Sequence, residues 1–178
     1  MEGEEIIACG KLKNTSVVIE GEISVKLYNQ GYYGELICNE KLVLNPVEAL
    51  ILLERNKIKV IDNNGKEYTF NELMRYLEKK DRNIWIKYIV YRDLRSRGYI
   101  VRSGPGDVAE YRLYERGAKI GQDVAKYLIG IVEEGRPFSL TELDKITKAA
   151  RSLGKELILA IVDRQGDITY YKVSRLEL

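Results

Sequence analysis

The sequence predicts an α+β protein built as two small units. A small N-terminal α+β unit covers residues 1–83, and a C-terminal α/β unit with a mixed sheet covers residues 84–178. Three observations carry this reading. Helix starts with capping side chains recur at Asn45-Pro46, Thr69 and Ser139, where a side-chain oxygen can accept from the first free helix amides. Between them run short apolar or alternating segments bounded by Gly, Asn and Asp, the pattern of strands and turns. The polar run Asp81-Arg82-Asn83 separates two helical patterns and is a natural boundary.

Residues 5–20 read as two short strands with a turn near Asn14. Ser24 to Gln30 reads as a short helix stopped by Gly31. Asn45 can cap the next helix, Pro46 fits its first position and Glu48 favours its dipole. Lys57 to Ile61 alternates as a strand, and Asn64-Gly65 is a hairpin turn. Thr69 opens an amphipathic helix from Phe70 to Lys80.

The next helix runs from Ile84 to Arg97, with Trp85, Tyr88 and Ile89 on one face at helical spacing. That face is expected to be core. Arg92, Arg95 and Arg97 fill its last turns, where cations oppose the dipole, and Gly98 supplies a left-handed stop. Tyr99–Arg102, Ala109–Tyr114 and Tyr127–Val132 read as strands, with Ser103 to Asp107 a tight loop. Ser139-Leu-Thr-Glu142 is a capping box for a helix ending near Gly154. Glu156–Val162 and Ile168–Val173 form a last strand pair around Arg164-Gln-Gly-Asp167.

Composition excludes several chemistries. There is no histidine, which removes His-ligated metals, His general bases and Ser–His nucleophiles. No metal site or cofactor is expected. Cys9 and Cys38 read as free, buried thiols. No apolar run is long enough to cross a bilayer, so a cytoplasmic protein with no membrane partner is expected. Net charge is +2, but it is unevenly placed. Residues 1–84 hold 12 Lys+Arg against 14 Asp+Glu, and residues 85–178 hold 17 against 13. Nucleic acid, if bound, belongs to the second half.

The stretch Tyr111 to Tyr127, YRLYERGAKIGQDVAKY, interleaves tyrosines with Arg112, Arg116, Lys119 and Lys126. Rings stack on unpaired bases and guanidinium groups hold phosphates, so such interleaving suits RNA. A strand followed by a loop of solvated charges explains the same residues.

Three blocks, VYRDLRSRGYIV, RLYERGA and ELILAIVD with GDITYY, together resemble the C-terminal domain of archaeal tRNA-splicing endonucleases. GYYG and LNPVEALILL resemble that family's N-terminal domain more loosely. The resemblance implies a nuclease-like C-terminal domain that cuts RNA without metal or cofactor. A ribose 2′-hydroxyl attacks the adjacent phosphate, leaving a cyclic phosphate and a 5′-hydroxyl. The family uses a tyrosine, a histidine and a lysine. Such a set lets one group take the 2′ proton, another protonate the leaving oxygen, and a cation stabilise the phosphoryl charge.

By position these fall on Tyr114, Val124 and Lys155. Valine transfers no proton, and neighbouring Asp123 is a poor acid unless burial raises its pKa. Two further departures surround the same place. Lys148, Arg151-Ser152 and Gly154-Lys155 replace an arginine, a histidine–serine pair and an arginine–lysine pair. GPGDVAEYRLY lacks the usual aromatic–glycine–acid pattern.

The resemblance further implies a base clamp at Lys148 and Tyr170; the residues themselves offer phosphate contacts from Arg92, Arg95, Arg97, Arg112 and Arg116. The resemblance also implies an acidic docking loop at Asp163 and Asp167, and work as a dimer or tetramer on precursor tRNA. Tyr170 and Tyr171 alternate across a strand, so only one can face the core. Three functions remain open. The chain is a structural subunit that needs a catalytic partner, an active nuclease using Tyr114 and Lys155, or an RNA-binding scaffold.

Overall fold

A computed structural model describes residues 7–38 and 40–175. It is an α+β chain of two compact units, residues 1–88 and 89–178. The division falls inside a helix, beyond the polar run Asp81-Arg82-Asn83.

The first unit begins with β1 (Ala8–Lys13) and β2 (Ser16–Glu20), joined at Asn14 with φ 54°. Helix α1 (Glu22–Gly31) follows, then β3 (Glu35–Ile37), β4 (Lys41–Leu44), α2 (Pro46–Glu54), β5 (Ile58–Ile61), β6 (Glu67–Tyr68) and α3 (Phe70–Glu78). The strands form one sheet in the order β3-β4-β2-β1-β5-β6, with β1 and β5 parallel. Helix α2 is apolar on every side and is buried from Val47 to Leu52, as an all-round apolar helix must be. Helix α3 is amphipathic and buries Leu73, Met74 and Leu77. Both helices carry complete capping boxes, Asn45 with Glu48 and Thr69 with Glu72.

Two expectations fail in this unit. Helix α1 does not stop at Gly31, which is still helical. Tyr32 takes the left-handed turn instead, at φ 54°, and its amide donates to the Tyr28 carbonyl. The Tyr28 and Tyr32 rings meet edge to face at 5.6 Å, a contact that holds the turn. Cys9 and Cys38 are free, as expected, but exposed rather than buried.

Helix α4 (Ile84–Ser96) contains the point where the two units divide. Tyr88 and Ile89 are buried, but Trp85 is 45% exposed and leaves the expected core face. It lies tilted against the Tyr88 ring at 5.8 Å.

The second unit adds β7 (Ile100–Ser103), β8 (Tyr111–Tyr114), β9 (Tyr127–Glu133), α5 (Leu140–Ser152), β10 (Glu156–Val162) and β11 (Ile168–Val173). Its sheet runs β11-β10-β9-β8-β7 and is mixed: β9 and β10 are parallel and every other pair is antiparallel. Helix α5 links the parallel pair and lays Leu143, Ile146 and Ala150 on Leu128, Leu157 and Leu159. On the opposite face the Tyr91 ring of α4 packs on Tyr111 of β8 at 5.5 Å. Gly98 ends α4 at φ 85°, as the sequence predicts.

The loop after β7 is tight for a steric reason. A Cβ on Gly104 would lie 2.5 Å from the Ala109 carbonyl oxygen and 2.9 Å from Tyr111 backbone atoms.

Candidate active-site cleft

At one end of the second sheet, the loop between β8 and β9 faces the turn between α5 and β10. Gly117 (φ 78°) and Gly121 (φ 95°) give the loop its left-handed bends. Between loop and turn lies a cleft of about 710 Å³, lined by Glu115, Arg116, Asp123, Val124, Lys126 and Lys155 among others. The backbone of Lys126 ties it together: its amide donates to the Leu113 carbonyl and its carbonyl accepts from Glu156.

Val124 and Lys155 therefore share one cleft. Tyr114 does not line it; its neighbour Glu115 does. Tyr114 ends β8 opposite Ile100 and is buried, with 8% of its surface exposed. Val124 is the reverse case, 81% exposed, with its hydrocarbon in water.

The charged groups around the cleft are engaged within the chain. The Lys155 ammonium donates to the Ala125 carbonyl at 2.6 Å. The Asp123 carboxylate accepts the Lys119 amide at 2.7 Å, so it closes the loop. Lys126 pairs with Glu115 at 2.8 Å. Hydrogen bonding to that carboxylate, with Tyr127 adding to it, pushes the lysine pKa upward. Arg116 lies over the Tyr99 ring at 5.0 Å.

A second cleft, about 560 Å³, runs beside α5 and is lined by Lys148, Arg151, Lys155, Lys172 and Arg175. Lys155 borders both clefts. Lys148 is paired with Asp144 one turn earlier on α5, and Lys172 with Glu156.

Tyr170 stands apart from this group. In register, Tyr170 pairs with Ala160 and Tyr171 with Leu159, and Leu159 belongs to the core beneath α5. Tyr170 thus points to the α4 face, away from Lys148 on α5. Its hydroxyl donates to Asp93 at 2.7 Å, and Arg97, itself paired with Asp93 at 2.8 Å, lies 5.6 Å from its ring centre. Burial, reinforced by the Asp93 charge, pushes the tyrosine pKa up. Within one chain, Lys148 and Tyr170 are not brought together. Tyr171 is the exposed member of the pair.

The acidic turn divides in the same way. The Asp163 carboxylate accepts the amides of Gln165 and Asp167 at 2.8 and 2.9 Å, so it shapes the turn. Asp167 is exposed. Of the helix-end arginines, Arg97 is held by Asp93, and Arg95 reaches the Tyr99 carbonyl at 3.4 Å. Among the described residues no group of His, Cys, Asp or Glu could hold a metal ion, and no helix is long and apolar enough to cross a membrane.

Sequence reasoning passed over Asp93, the acceptor shared by Tyr170 and Arg97. Its signal was present as an Asp93/Arg97 pair one helical turn apart. The register that sets Arg102 opposite Arg112 was also missed; it depends on strand bounds that sequence leaves loose by a residue or two.

Comparison with known proteins gives one answer along the whole chain. Residues 84–170 match the tRNA intron endonuclease catalytic C-terminal domain, and residues 8–74 match the N-terminal domain of the same family. A tRNA-splicing endonuclease of Thermococcus onnurineus is 40% identical over 92% of this chain and 93% of its own. One of Methanococcus maripaludis is 38% identical over 94% of each chain. Another, from Methanothermobacter thermautotrophicus, is 35% identical over 92% of this chain and 95% of its own. With both domains matched in order and relatives aligned over nearly their full length, this chain belongs to the tRNA intron endonuclease family.

Proposed function

We propose that this chain is a structural subunit of a tRNA-splicing endonuclease. It positions precursor tRNA and a catalytic partner for cutting at bulge–helix–bulge sites, and runs no reaction of its own. The observation that carries this is Val124, exposed in the cleft beside Lys155 at the place where the family resemblance puts a histidine. No neighbour can take over the proton transfer. Asp123 holds the loop amide of Lys119, and Lys126 is paired with Glu115. The cleft keeps a cation but has no group poised to protonate a leaving oxygen.

The test is cleavage of an intron-containing precursor tRNA. The chain alone leaves it intact, because losing general acid catalysis costs ~10²–10⁴-fold. A complex of this chain with a catalytic partner excises the intron. Tyr114→Phe in this chain leaves the rate of that complex nearly unchanged. Cleavage by the chain alone at the rate of a complete enzyme overturns the reading. A hundredfold loss from Tyr114→Phe, with assembly intact, would return Tyr114 and Lys155 to a working active site.

A further inference from the structure

Arg112 of the C-terminal unit has no counter-charge among the described residues. It sits within β8, half-buried, and its Nε is buried without a hydrogen-bond partner. Its side chain makes no ion pair among the described residues. This sets it apart from Lys126, Lys148 and Lys155, each of which has an acceptor in the fold.

Its neighbour makes the position costlier. Arg102 of β7 stands directly opposite in the antiparallel register, on the same face of the sheet. Arg102 is 9% exposed and has partners of its own in the fold. Like charges facing each other across strands are destabilising. A partly buried charge without a partner adds to that cost. Leu128, opposite Arg112 on the other side, offers it nothing polar. The chain thus holds an arginine whose environment favours an anion that the described residues do not provide.

The anion that fits is a phosphate. A guanidinium presents a planar fork that grips phosphate through two parallel hydrogen bonds. Tyr114 lies two residues along the same strand face, about 6.8 Å away, and the cleft opens at the next residue, Glu115. A polymer with regularly spaced phosphates can reach both the cleft and Arg112, whereas a single small anion cannot.

We propose that Arg112 anchors one backbone phosphate of an RNA strand bound at the cleft, with Arg102 beside it on β7 adding to the preference for an anion. This rests on the reading that the chain positions RNA. It narrows that reading to one residue and one chemical group.

Two measurements test it. In the first, the Nε–H signals of the arginines in the full chain are followed by NMR as inorganic phosphate is added. The Arg112 signal shifts and saturates, and chloride at equal ionic strength does not move it. An unmoved signal overturns the proposal without recourse to any variant. In the second, binding of an intron-containing precursor tRNA is measured against salt for the wild type and Arg112→Gln. The variant binds about tenfold more weakly, and its log–log salt slope is smaller by about 0.7, the loss of one single-strand phosphate contact. Its melting temperature is not lowered, because no native partner is lost.

A wild type that binds RNA with a slope that Arg112→Gln leaves unchanged overturns the anchor and leaves the RNA-positioning reading standing. A wild type that binds no RNA overturns both. A variant that keeps the RNA slope but loosens association with a partner subunit assigns Arg112 to a protein carboxylate and overturns the phosphate anchor.

Discussion

Replacing Tyr170 by phenylalanine separates two roles that the residue's position allows. The ring would survive for stacking on a base, while the hydroxyl that reaches Asp93 at 2.7 Å would be lost. A hydrogen bond to a charged acceptor contributes ~1.5–3 kcal/mol. The lower end applies here, because the site is half-buried and Asp93 keeps Arg97 at 2.8 Å, so no carboxylate is orphaned. About 1.5 kcal/mol in a unit of this size corresponds to a fall of roughly 6–12 °C in melting temperature.

The assay is thermal unfolding of the full chain, with amide hydrogen exchange of β11 to localise the loss. A double-mutant cycle with Asp93→Asn isolates the pair. The pH dependence has a definite sign. The folded tyrosine pKa lies above the ordinary value of 10.0. Its stabilisation is therefore complete below about 10 and is lost as pH climbs from there toward the folded value. The advantage of wild type over Tyr170→Phe must shrink in alkali. An unchanged melting temperature with a coupling under about 0.3 kcal/mol would refute the latch. If Tyr170→Phe then kept RNA affinity while Tyr170→Ala lost it, the ring would be the working part.

Three further outcomes are expected. Thr69→Ala removes the hydroxyl that caps α3 and costs about 1 kcal/mol, read by urea unfolding; the return bond from the Thr69 amide to the Glu72 carboxylate survives in the variant, and because that amide, then Lys66, lowers the Glu72 pKa to about 2, it is present above the free carboxylate value and fades as pH falls toward 2. Gly104→Ala drives a Cβ into the Ala109 carbonyl, where only backbone could yield, and lowers stability by ~1–3 kcal/mol or more. Asp163→Ala loosens the β10–β11 turn by about 1–2 kcal/mol, whereas Asp167→Lys leaves stability alone and splits the complex with a partner subunit; an unchanged sedimenting mass would make Asp167 a solvated turn residue.

The elements were legible where local chemistry decides them. Asn45, Thr69 and Ser139 each accept the amide of a glutamate three residues on, as their capping signatures require. Gly98 and Gly65 take the left-handed turns that their backbone freedom allows, Gly65 between the paired β5 and β6. What failed depended on tertiary neighbours. Trp85 has the spacing of a core residue, yet it is 45% exposed, and periodicity cannot report that. Tyr32 replaces Gly31 as the helix stop because its ring meets Tyr28, a contact that sequence spacing allows but does not require. At the site, sequence aligned Tyr114, Val124 and Lys155, but only the fold separates a buried tyrosine from an exposed valine.

On the proposed reading, that separation bears on why a tyrosine and a lysine stand at two of the three positions that the resemblance singles out. Tyr114 is part of the core at the end of β8. Lys155 ties the start of β10 to the loop before β9 by donating to Ala125, 30 residues away. Each has a reason to persist that does not involve a reaction. Val124 is mostly in water, so on the proposed reading the side chain there changes freely once chemistry is no longer required. Survival of the tyrosine and the lysine is therefore no argument for activity.

The consequence can be measured. Lys155→Met should lower stability by about 1.5 kcal/mol through loss of the charged donor to Ala125. Val124→Ala should stay within about 0.5 kcal/mol, as surface changes do. Urea unfolding of both variants, alongside intron excision by the reconstituted complex, decides between the two roles. If Lys155→Met leaves stability untouched and abolishes excision, the lysine serves the reaction and the structural account of its retention fails.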